Sequence, residues 1–396
     1  MQSIDSLSET YSIRSPDVVH VGPGTTAKLK AFAAERSAES ALVITDEGVV
    51  DAGVADSAFD ALEAAGLEVV IYDGVEPEPK LQMAEMAAER LHKGDHDLVV
   101  GLGGGSSLDT AKLASVLAEH DRPVREMLGM GNVPGEGREL ALLPTTAGTG
   151  SEMTHIGVFK DTEDDGAKKV VYSPHLFADA AIIDPNLTKS LPPAVAAATG
   201  MDALTHAIEA YVTTIRTPYT DVLAREAIEL IGANLRPAVH QGAVNDDARH
   251  AMSLGATLAG QAFVNSGLGA VHALTYPLGM ECDLGHGQAN AVLLPYVMEY
   301  NVATEPERFA EIARLLGEQS VPGESMIDFA YRSVDVVLEL NKDINIPTEI
   351  REFADLSHED FERFAEMAME YSEHNVERNP RTMDREDISD IFEQAY

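Results

Sequence analysis

An acidic and a basic side chain lie four residues apart in the otherwise apolar stretch GMDALTHAIEAYV, residues 200–212. Residues at this spacing are neighbours on a helix surface, so Asp202 and His206 share one face of any helix formed there. Two more histidines, His272 and His286, follow further along the chain. One carboxylate and three imidazoles suit a borderline divalent cation such as Fe²⁺ or Zn²⁺. The residue types therefore indicate a candidate metal site.

Each of these side chains also has an ordinary structural explanation. The residues Thr-Gly-Met precede Asp202, so its carboxylate could instead cap the start of a helix. His206 could be a core histidine whose hydrogen bonds are satisfied. His286 stands between two glycines, a pattern that suits a loop held close to another group. Spacing alone leaves open whether the four side chains meet.

A second candidate site is the glycine-rich turn of VVGLGGGSSLDTAK, where a predicted strand changes into a helix. Gly103, Gly104 and Gly105 let the backbone approach a phosphate, and the next helix offers free N–H groups and a positive dipole end. Because Ser106 occupies the last position, the pattern is not the G-x-G-x-x-G fingerprint. The turn favours phosphate binding. A plain strand–helix turn capped by Ser106 or Ser107 is the alternative.

Two further features belong with this turn. The loop PTTAGTGSE, residues 144–152, carries the hydroxyls of Thr145, Thr146 and Thr149, which could hydrogen-bond another part of the same ligand. An ordinary polar loop is the alternative. Asp46 ends the first apolar strand, where an acid commonly accepts from a ribose 2′-OH and would repel a 2′-phosphate. It favours NAD over NADP, unless it is simply a solvated carboxylate.

The first half of the chain alternates short apolar runs with helical patterns. Such alternation predicts a parallel sheet in an α/β domain. Strands are predicted at 41–45, 66–75, 139–146 and 179–185 and from residue 96 onward, and helices at 56–66 and 79–94. Beyond Pro185 long helical periodicity dominates. We therefore expect an α/β dinucleotide-binding domain at 1–185 and a helical metal-binding domain at 186–396, with ligands in the cleft between them.

The composition sets the broad class. A chain of 396 residues normally forms two domains, each with its own core. The single cysteine, Cys282, forbids an internal disulfide and favours a reducing compartment. We see no signal peptide at the N-terminus and no apolar run of membrane-spanning length. These features predict a cytoplasmic protein that does not enter a membrane.

The net charge of −38 arises from 66 acidic and 28 basic residues. No basic footprint for nucleic acid is visible. The hydrophobic content of 45% argues against disorder. Self-repulsion of this size is best tolerated where salt screens it, which suggests the salt-rich cytoplasm of a halophile.

Five long motifs stand in one order along the chain: GLGGGSSLDTAK, PTTAGTGSEMT, ATGMDALTHAIEAYV, GLGAVHALTYPLG and GHGQANAVLLP. In this the chain resembles the iron-containing (group III) alcohol dehydrogenases over essentially its whole length. The resemblance implies a Rossmann-like α/β domain with a parallel sheet followed by an all-α domain, the architecture shared with dehydroquinate synthase. It also implies a metal- and NAD(P)-dependent alcohol dehydrogenase or aldehyde reductase that forms a homodimer or larger homo-oligomer.

The resemblance assigns roles to individual positions. The ligands of Fe²⁺, with Zn²⁺ or Mn²⁺ as alternatives, would be Asp202, His206, His272 and His286, and the metal would act as a Lewis acid on a small alcohol or carbonyl substrate. The cofactor, NAD with NADP as the alternative, would contact Asp46, Gly103, Gly104, Gly105, Ser106, Asp109 in the first turn of the next helix, Thr145, Thr146, Thr149 and Lys168.

One position departs from the family pattern. Many members carry a further histidine four residues after the third ligand, but here Tyr276 stands there, in HALTYP. Tyr276 is a candidate proton donor in its place, with a packing residue as the alternative. The related hydroxyacid–oxoacid transhydrogenases show a similar SYP.

Other functions remain open beside the main one. They are a polyol, glycerol phosphate or hydroxy-acid dehydrogenase of the same superfamily, a dehydroquinate-synthase-like lyase, and an acidic binding protein without catalysis. A phosphorylated substrate calls for clustered basic side chains. Residues 199–213 and 265–295 contain no Lys or Arg, which counts against the phosphate-binding alternatives.

Overall fold

The computed structural model describes residues 10–164, 167–282 and 284–396. The chain divides into two compact units. One unit is Ser15–Leu191, and the other is Pro192–Tyr396 joined by the described residues up to Arg14.

The first unit contains a six-stranded parallel sheet and a smaller three-stranded sheet. The strands are β1 (Val18–Val21), β2 (Ser40–Ile44), β3 (Glu68–Tyr72), β4 (Leu98–Gly103), β5 (Gly129–Met130), β6 (Glu139–Pro144), β7 (Ile156–Asp161), β8 (Ala167–Tyr172) and β9 (Ala180–Ile183). The large sheet has the order β1-β9-β6-β4-β2-β3, and the small one the order β5-β8-β7.

Five strands of the large sheet match the predicted runs. The sequence prediction missed β1, which has only four residues, and all three strands of the small sheet. The helices of this unit are α1 (Lys28–Glu35), α2 (Glu47–Asp51), α3 (Asp56–Glu63), α4 (Leu81–Gly94) and α5 (Gly105–Leu117).

Both faces of the large sheet are covered, which explains why its strands read as continuous apolar runs. Along β2, Val43 packs with Leu29 and Leu62 on one face. Its neighbour Leu42 packs with Leu91 on the other face. All these side chains are fully buried.

The described part of the second unit is helical and contains no strand. Its helices are α6 (Pro193–Val212), α7 (Pro218–Gln241), α8 (Asp246–Ser266), α9 (Ala270–Glu281), α10 (His286–Val302), α11 (Pro306–Leu315), α12 (Met326–Asp343), α13 (His358–Arg378) and α14 (Arg385–Ala395). Helix α6 begins at the second residue of a Pro-Pro pair, a favourable first helical position because proline needs no N–H partner there. Among the described residues, none of the helices has the length and hydropathy that crossing a membrane requires.

Candidate functional site

Helix α6 holds the first two predicted metal ligands. It begins nine residues before Asp202, so this carboxylate lies in the helix interior and the helix-capping alternative is wrong. Asp202 is 2% exposed and His206 is 4% exposed. An isolated buried carboxylate is costly, which is the first sign that a cationic partner belongs at this position.

The structure brings all four predicted ligands together. The Oδ1 atom of Asp202 lies 3.9 Å from Nε2 of His206, 4.0 Å from Nε2 of His272 and 3.6 Å from Nε2 of His286. The ligand atoms of the first three residues are all within 4.8 Å of one another. Three imidazole nitrogens therefore lie around one carboxylate oxygen, with Asp202, His206 and His272 as the tighter group, and this donor set fits a divalent cation.

The charge state of Asp202 suits this role. Burial raises the pKa of its carboxyl group, but the nearby imidazoles of His206, His286 and His272 and the Asn290 amide outweigh burial and hold the pKa below its ordinary value. Asp202 therefore supplies an anionic oxygen at neutral pH.

The position of His286 differs from the predicted loop. It is the first residue of α10, and Gly285 caps that helix. The next residue, Gly287, lies so close to α6 that a Cβ atom there would be 2.4 Å from the carbonyl oxygen of Ala198. The glycine therefore permits the close approach that places His286 beside Asp202.

Two residues at this site escaped the sequence analysis. The Nδ2 atom of Asn290 donates to Asp202 at 2.7 Å and lies 3.2 Å from Nε2 of His272, and Thr275 donates to the Asn290 carbonyl oxygen. Besides Asn290, the other residue that escaped the sequence analysis is Glu209, whose carboxylate lies 2.5 Å from Nδ1 of His272. Their helical spacing, four residues after His286 and seven after Asp202, is the signal that could have identified them.

Tyr276 lies one turn after His272 on α9 and is half-buried. Its ring stacks on that of Tyr371, with 5.0 Å between the ring centroids. It therefore occupies the ligand-bearing face of α9, with an aromatic partner behind it.

The predicted cofactor residues gather at one edge of the large sheet. Strands β6, β4 and β2 are neighbours, and Thr145, Gly103 and Asp46 stand at or just after their carboxyl ends. The Thr145 N–H donates to the Gly103 carbonyl oxygen at 2.9 Å. Thr146 and Thr149 lie beside the next two glycines of the turn. This edge is where open parallel sheets bind their ligands.

The glycine-rich turn has the geometry that an anion needs. Gly103 has φ 151°, and a Cβ atom there would meet the Ser107 hydroxyl at 2.6 Å, so only glycine fits. Helix α5 is capped by Gly104 with no side-chain cap, which contradicts the alternative of a cap at Ser106 or Ser107. The first N–H groups of α5 thus have no capping side chain and could receive a phosphate.

The three charged residues among the predicted cofactor contacts, Asp46, Asp109 and Lys168, all have protein partners for their side chains. Asp46 caps α2 through the Val49 N–H, and its other oxygen lies 3.4 Å from the Ser107 hydroxyl, so it faces the turn and is not merely solvated. Asp109 is the fifth residue of α5, beyond the first turn where it was predicted. It accepts from Lys112, Ser151 and the Val158 N–H, so it joins the turn to the following loop and β7. Lys168 pairs with Glu78 at 2.9 Å.

The buried carboxyl group of Glu152, the last residue of the loop 144–152, predicts that stability depends on pH. Burial raises the pKa of Glu152 to about 7 from 4.5, although Lys112 opposes the shift. Folding raises this pKa, so the unfolded chain loses its proton first and stability falls as pH rises from about 4.5 to about 7.

We therefore expect Glu152→Gln to stabilise the protein by about 3 kcal/mol at pH 8, because the pKa rises from 4.5 to about 7 on folding and each pKa unit corresponds to about 1.4 kcal/mol. Near pH 4.5 the folded protein holds Glu152 in its neutral form, so the substitution should have no such effect. Chemical unfolding at both pH values measures this. The exposed Glu63→Gln is the control, and a gain that is equal at both pH values would contradict the explanation.

Comparison with known proteins places the chain among metal-dependent oxidoreductases. A family model described as iron-containing alcohol dehydrogenase matches residues 16–185, and a second, for the C-terminal part of the Fe-containing alcohol dehydrogenase family, matches 196–396. Long-chain-alcohol dehydrogenase 1 of Geobacillus thermodenitrificans is 41% identical over 384 residues, which cover 96% of this chain and 95% of the relative.

Solved structures agree with the sequence matches. A crystal structure of 1,3-propanediol oxidoreductase superposes with a TM-score of 0.94 at 38% identity, covering 98% of this chain and all of the other. Sulfoacetaldehyde reductase from Bifidobacterium kashiwanohense, solved with NAD⁺, gives 0.89 at 27% identity, covering 98% and 99%. The predicted two-part fold, a parallel α/β sheet followed by a helical part, is thereby confirmed.

Proposed function

The chain belongs to the iron-containing alcohol dehydrogenase family, and from this membership we propose that Asp202, His206, His272 and His286 hold Fe²⁺. The protein is a metal- and NAD-dependent oxidoreductase of alcohols and aldehydes. The observation that carries the metal assignment is the convergence of three Nε2 atoms within 4.0 Å of one buried carboxylate oxygen. Zn²⁺ or Mn²⁺ could occupy the same donors in purified protein, since nitrogen and oxygen ligands select weakly among these ions.

When bound, the metal supplies Lewis acidity to the substrate oxygen, and the nicotinamide accepts or donates the hydride. The chain contributes position and charge. Asp202 provides a fixed negative charge, and the Asn290 amide orients it. The imidazoles of His206 and His272 stack with 4.7 Å between their centroids, which fixes the direction of their nitrogen lone pairs. This preorganisation places the reacting groups before substrate binds.

The proposed cofactor site is the edge formed by the ends of β2, β4 and β6. The turn from Gly103 to Ser106 would hold the pyrophosphate, Thr145, Thr146 and Thr149 would contact the nicotinamide half, and Lys168 would contact its ribose. Asp46 faces this turn, so its carboxylate would accept from the adenosine ribose and repel a 2′-phosphate. We therefore propose NAD rather than NADP as the cofactor.

The test is a coupled measurement of reaction and metal. NADH oxidation is followed with a panel of short aldehydes in molar KCl, after EDTA treatment and again after anaerobic return of Fe²⁺. We expect activity to disappear with EDTA, to return with the metal, and to be at least tenfold lower with NADPH. Activity that is indifferent to EDTA would show that Asp202 and His206 are structural. Inactivity in every state would favour the lyase or phosphorylated-polyol alternatives.

Tyr276 is proposed to donate the proton that the family histidine handles. Tyr276→Phe keeps the ring and its stacking on Tyr371 while removing the hydroxyl. We expect kcat to fall by roughly 100-fold, as is typical for loss of a general acid, with metal and NADH affinity unchanged. Steady-state kinetics and a metal titration measure this, with Tyr371→Phe as the matched control. Unchanged kcat would make Tyr276 a packing residue.

The proposed setting is the cytoplasm of a halophile, with the chain in a homodimer or larger homo-oligomer. The net charge of −38 is the observation behind the halophile proposal.

Because salt screens the repulsion between the acidic side chains, we expect the melting temperature of the protein to fall by roughly 10 °C or more between 3 M and 0.2 M KCl. Calorimetry measures the shift, and sucrose at equal osmolality is the control. Equal melting temperatures in low and high KCl would contradict the halophile proposal.

A further inference from the structure

The carboxylate of Glu209 lies directly behind the third metal ligand. It is on α6, seven residues after Asp202 and three after His206, and is 3% exposed. Its Oε2 atom lies 2.5 Å from Nδ1 of His272, and its Oε1 atom accepts the Val271 N–H at 2.7 Å. Both oxygens are therefore engaged with the first turn of α9.

From this geometry we infer that Glu209 is a positioning residue, which fixes the tautomer and ring orientation of His272 toward the metal. An ionised carboxylate only accepts hydrogen bonds, so the proton of neutral His272 must be on Nδ1. The unprotonated Nε2 then faces the point where Asp202 and His286 converge. The inference rests on the proposed metal site and adds the residue that prepares one of its ligands.

The carboxylate also matters for charge. A divalent cation among three neutral imidazoles and Asp202 would leave one positive charge in a buried site. Glu209 supplies the second negative charge, so the buried assembly is neutral when the metal is present. A carboxylate that accepts a hydrogen bond from a metal-binding imidazole also makes the imidazole more basic, so its other nitrogen binds the metal more strongly.

A plain structural role is the competing explanation. The Val271 N–H is among the first N–H groups of α9, which have no acceptor within that helix. Glu209 accepts from it, so Glu209 could serve only to cap α9 from a neighbouring helix. The two roles separate in Glu209→Gln. An amide has a single acceptor oxygen for two N–H groups, so the variant cannot satisfy both Val271 and His272.

The experiment begins with wild-type protein freed of metal and titrated with Co²⁺ against a competing chelator. The ligand-field spectrum reports coordination directly, without reference to activity. Failure of the wild-type protein to bind Co²⁺ would reject the proposed metal site itself. With wild-type binding established, we expect Glu209→Gln to weaken Co²⁺ binding by about 10–100-fold and to alter the spectrum.

The matched control is Asp184→Asn, another buried carboxylate that accepts from backbone N–H groups, at Gly24 and Thr26 in the other unit. It should lower thermal stability and leave Co²⁺ affinity within twofold of wild type. The same outcome for Glu209→Gln, lower stability with unchanged Co²⁺ affinity and spectrum, would overturn the inference.

A second measurement needs no folded Glu209 variant. Metal-free wild-type protein with ¹⁵N-labelled histidine should already show neutral His272 protonated on Nδ1, assigned by the signal lost in His272→Ala. A proton on Nε2 of His272 would overturn the inference.

Discussion

Replacing His272 with alanine should reduce turnover by a factor of about 1,000 or more while leaving NAD affinity within twofold of wild type. The side chain supplies one of four converging donors, and a factor of 1,000 corresponds to about 4 kcal/mol of transition-state stabilisation. The residues that we assign to NAD lie on strand ends and turns of the Ser15–Leu191 unit, held by contacts within that unit. The variant should therefore separate chemistry from cofactor binding.

Turnover at saturating NADH and the NADH dissociation constant from fluorescence measure the two effects. His358→Ala is the control, because it removes an exposed histidine from the start of α13 in the same unit. Some loss of stability should accompany His272→Ala, since Glu209 would keep a buried charge without its imidazole partner. A tenfold loss of NADH affinity would refute the division of roles.

Replacing Asp202 with asparagine should lower the stability of the metal-free protein modestly and remove most of the stabilisation that metal binding provides. The amide oxygen of asparagine can still accept from Asn290, so the local packing survives. Without metal, the imidazoles and the Asn290 amide favour the ionised carboxylate in the folded protein, so the substitution loses that stabilisation. The site loses its only anionic metal ligand. The affinity of the protein for the metal should therefore fall by more than about 100-fold, a larger loss than is usual when a residue that contacts a ligand, and not the metal itself, is replaced.

Melting temperatures with and without Co²⁺ test this. Wild type should be strongly stabilised by the metal, while Asp202→Asn should melt somewhat below wild type without metal and gain little when metal is added. Asp184→Asn, the same substitution at a buried carboxylate outside this site, is the control and should keep the full metal-induced gain in melting temperature. Equal metal-induced stabilisation of wild type and Asp202→Asn would rule out Asp202 as a ligand.

The sequence was most informative where several signals coincided. Five strands of the parallel sheet were predictable because burial on both faces produces uninterrupted apolar runs. The convergence of His272 and His286 on Asp202 could not follow from spacing, since it depends on how α6, α9 and α10 pack. The family resemblance supplied that information, and the structure agrees with it.

The errors have specific physical causes. Strand β1 is four residues long, too short for a periodic signal, and β7 and β8 mix lysines with apolar residues in a hairpin. The helix-cap alternative for Asp202 followed from the Thr-Gly-Met that precedes it, but α6 begins well before these residues, and Gly200 lies inside the helix, packed close to Leu235. Glu209 was overlooked because its seven-residue spacing from Asp202 becomes informative only once its partner on another helix, His272, is known.

The pairing of the first strand has a consequence for how the chain is made. Strand β1 is at the edge of the sheet and pairs with β9, whose last residue, Ile183, is 162 positions after Val21. At ribosomal speeds of 5–20 residues per second, the nascent β1 waits roughly 10–30 s for its partner. Further upstream, the Arg14 N–H bonds to Asn265 and must wait longer still. Strand β1 thus stays without its partner until β9 has been made, and during that interval we expect mutual repulsion between such acidic chains to keep neighbouring nascent strands apart.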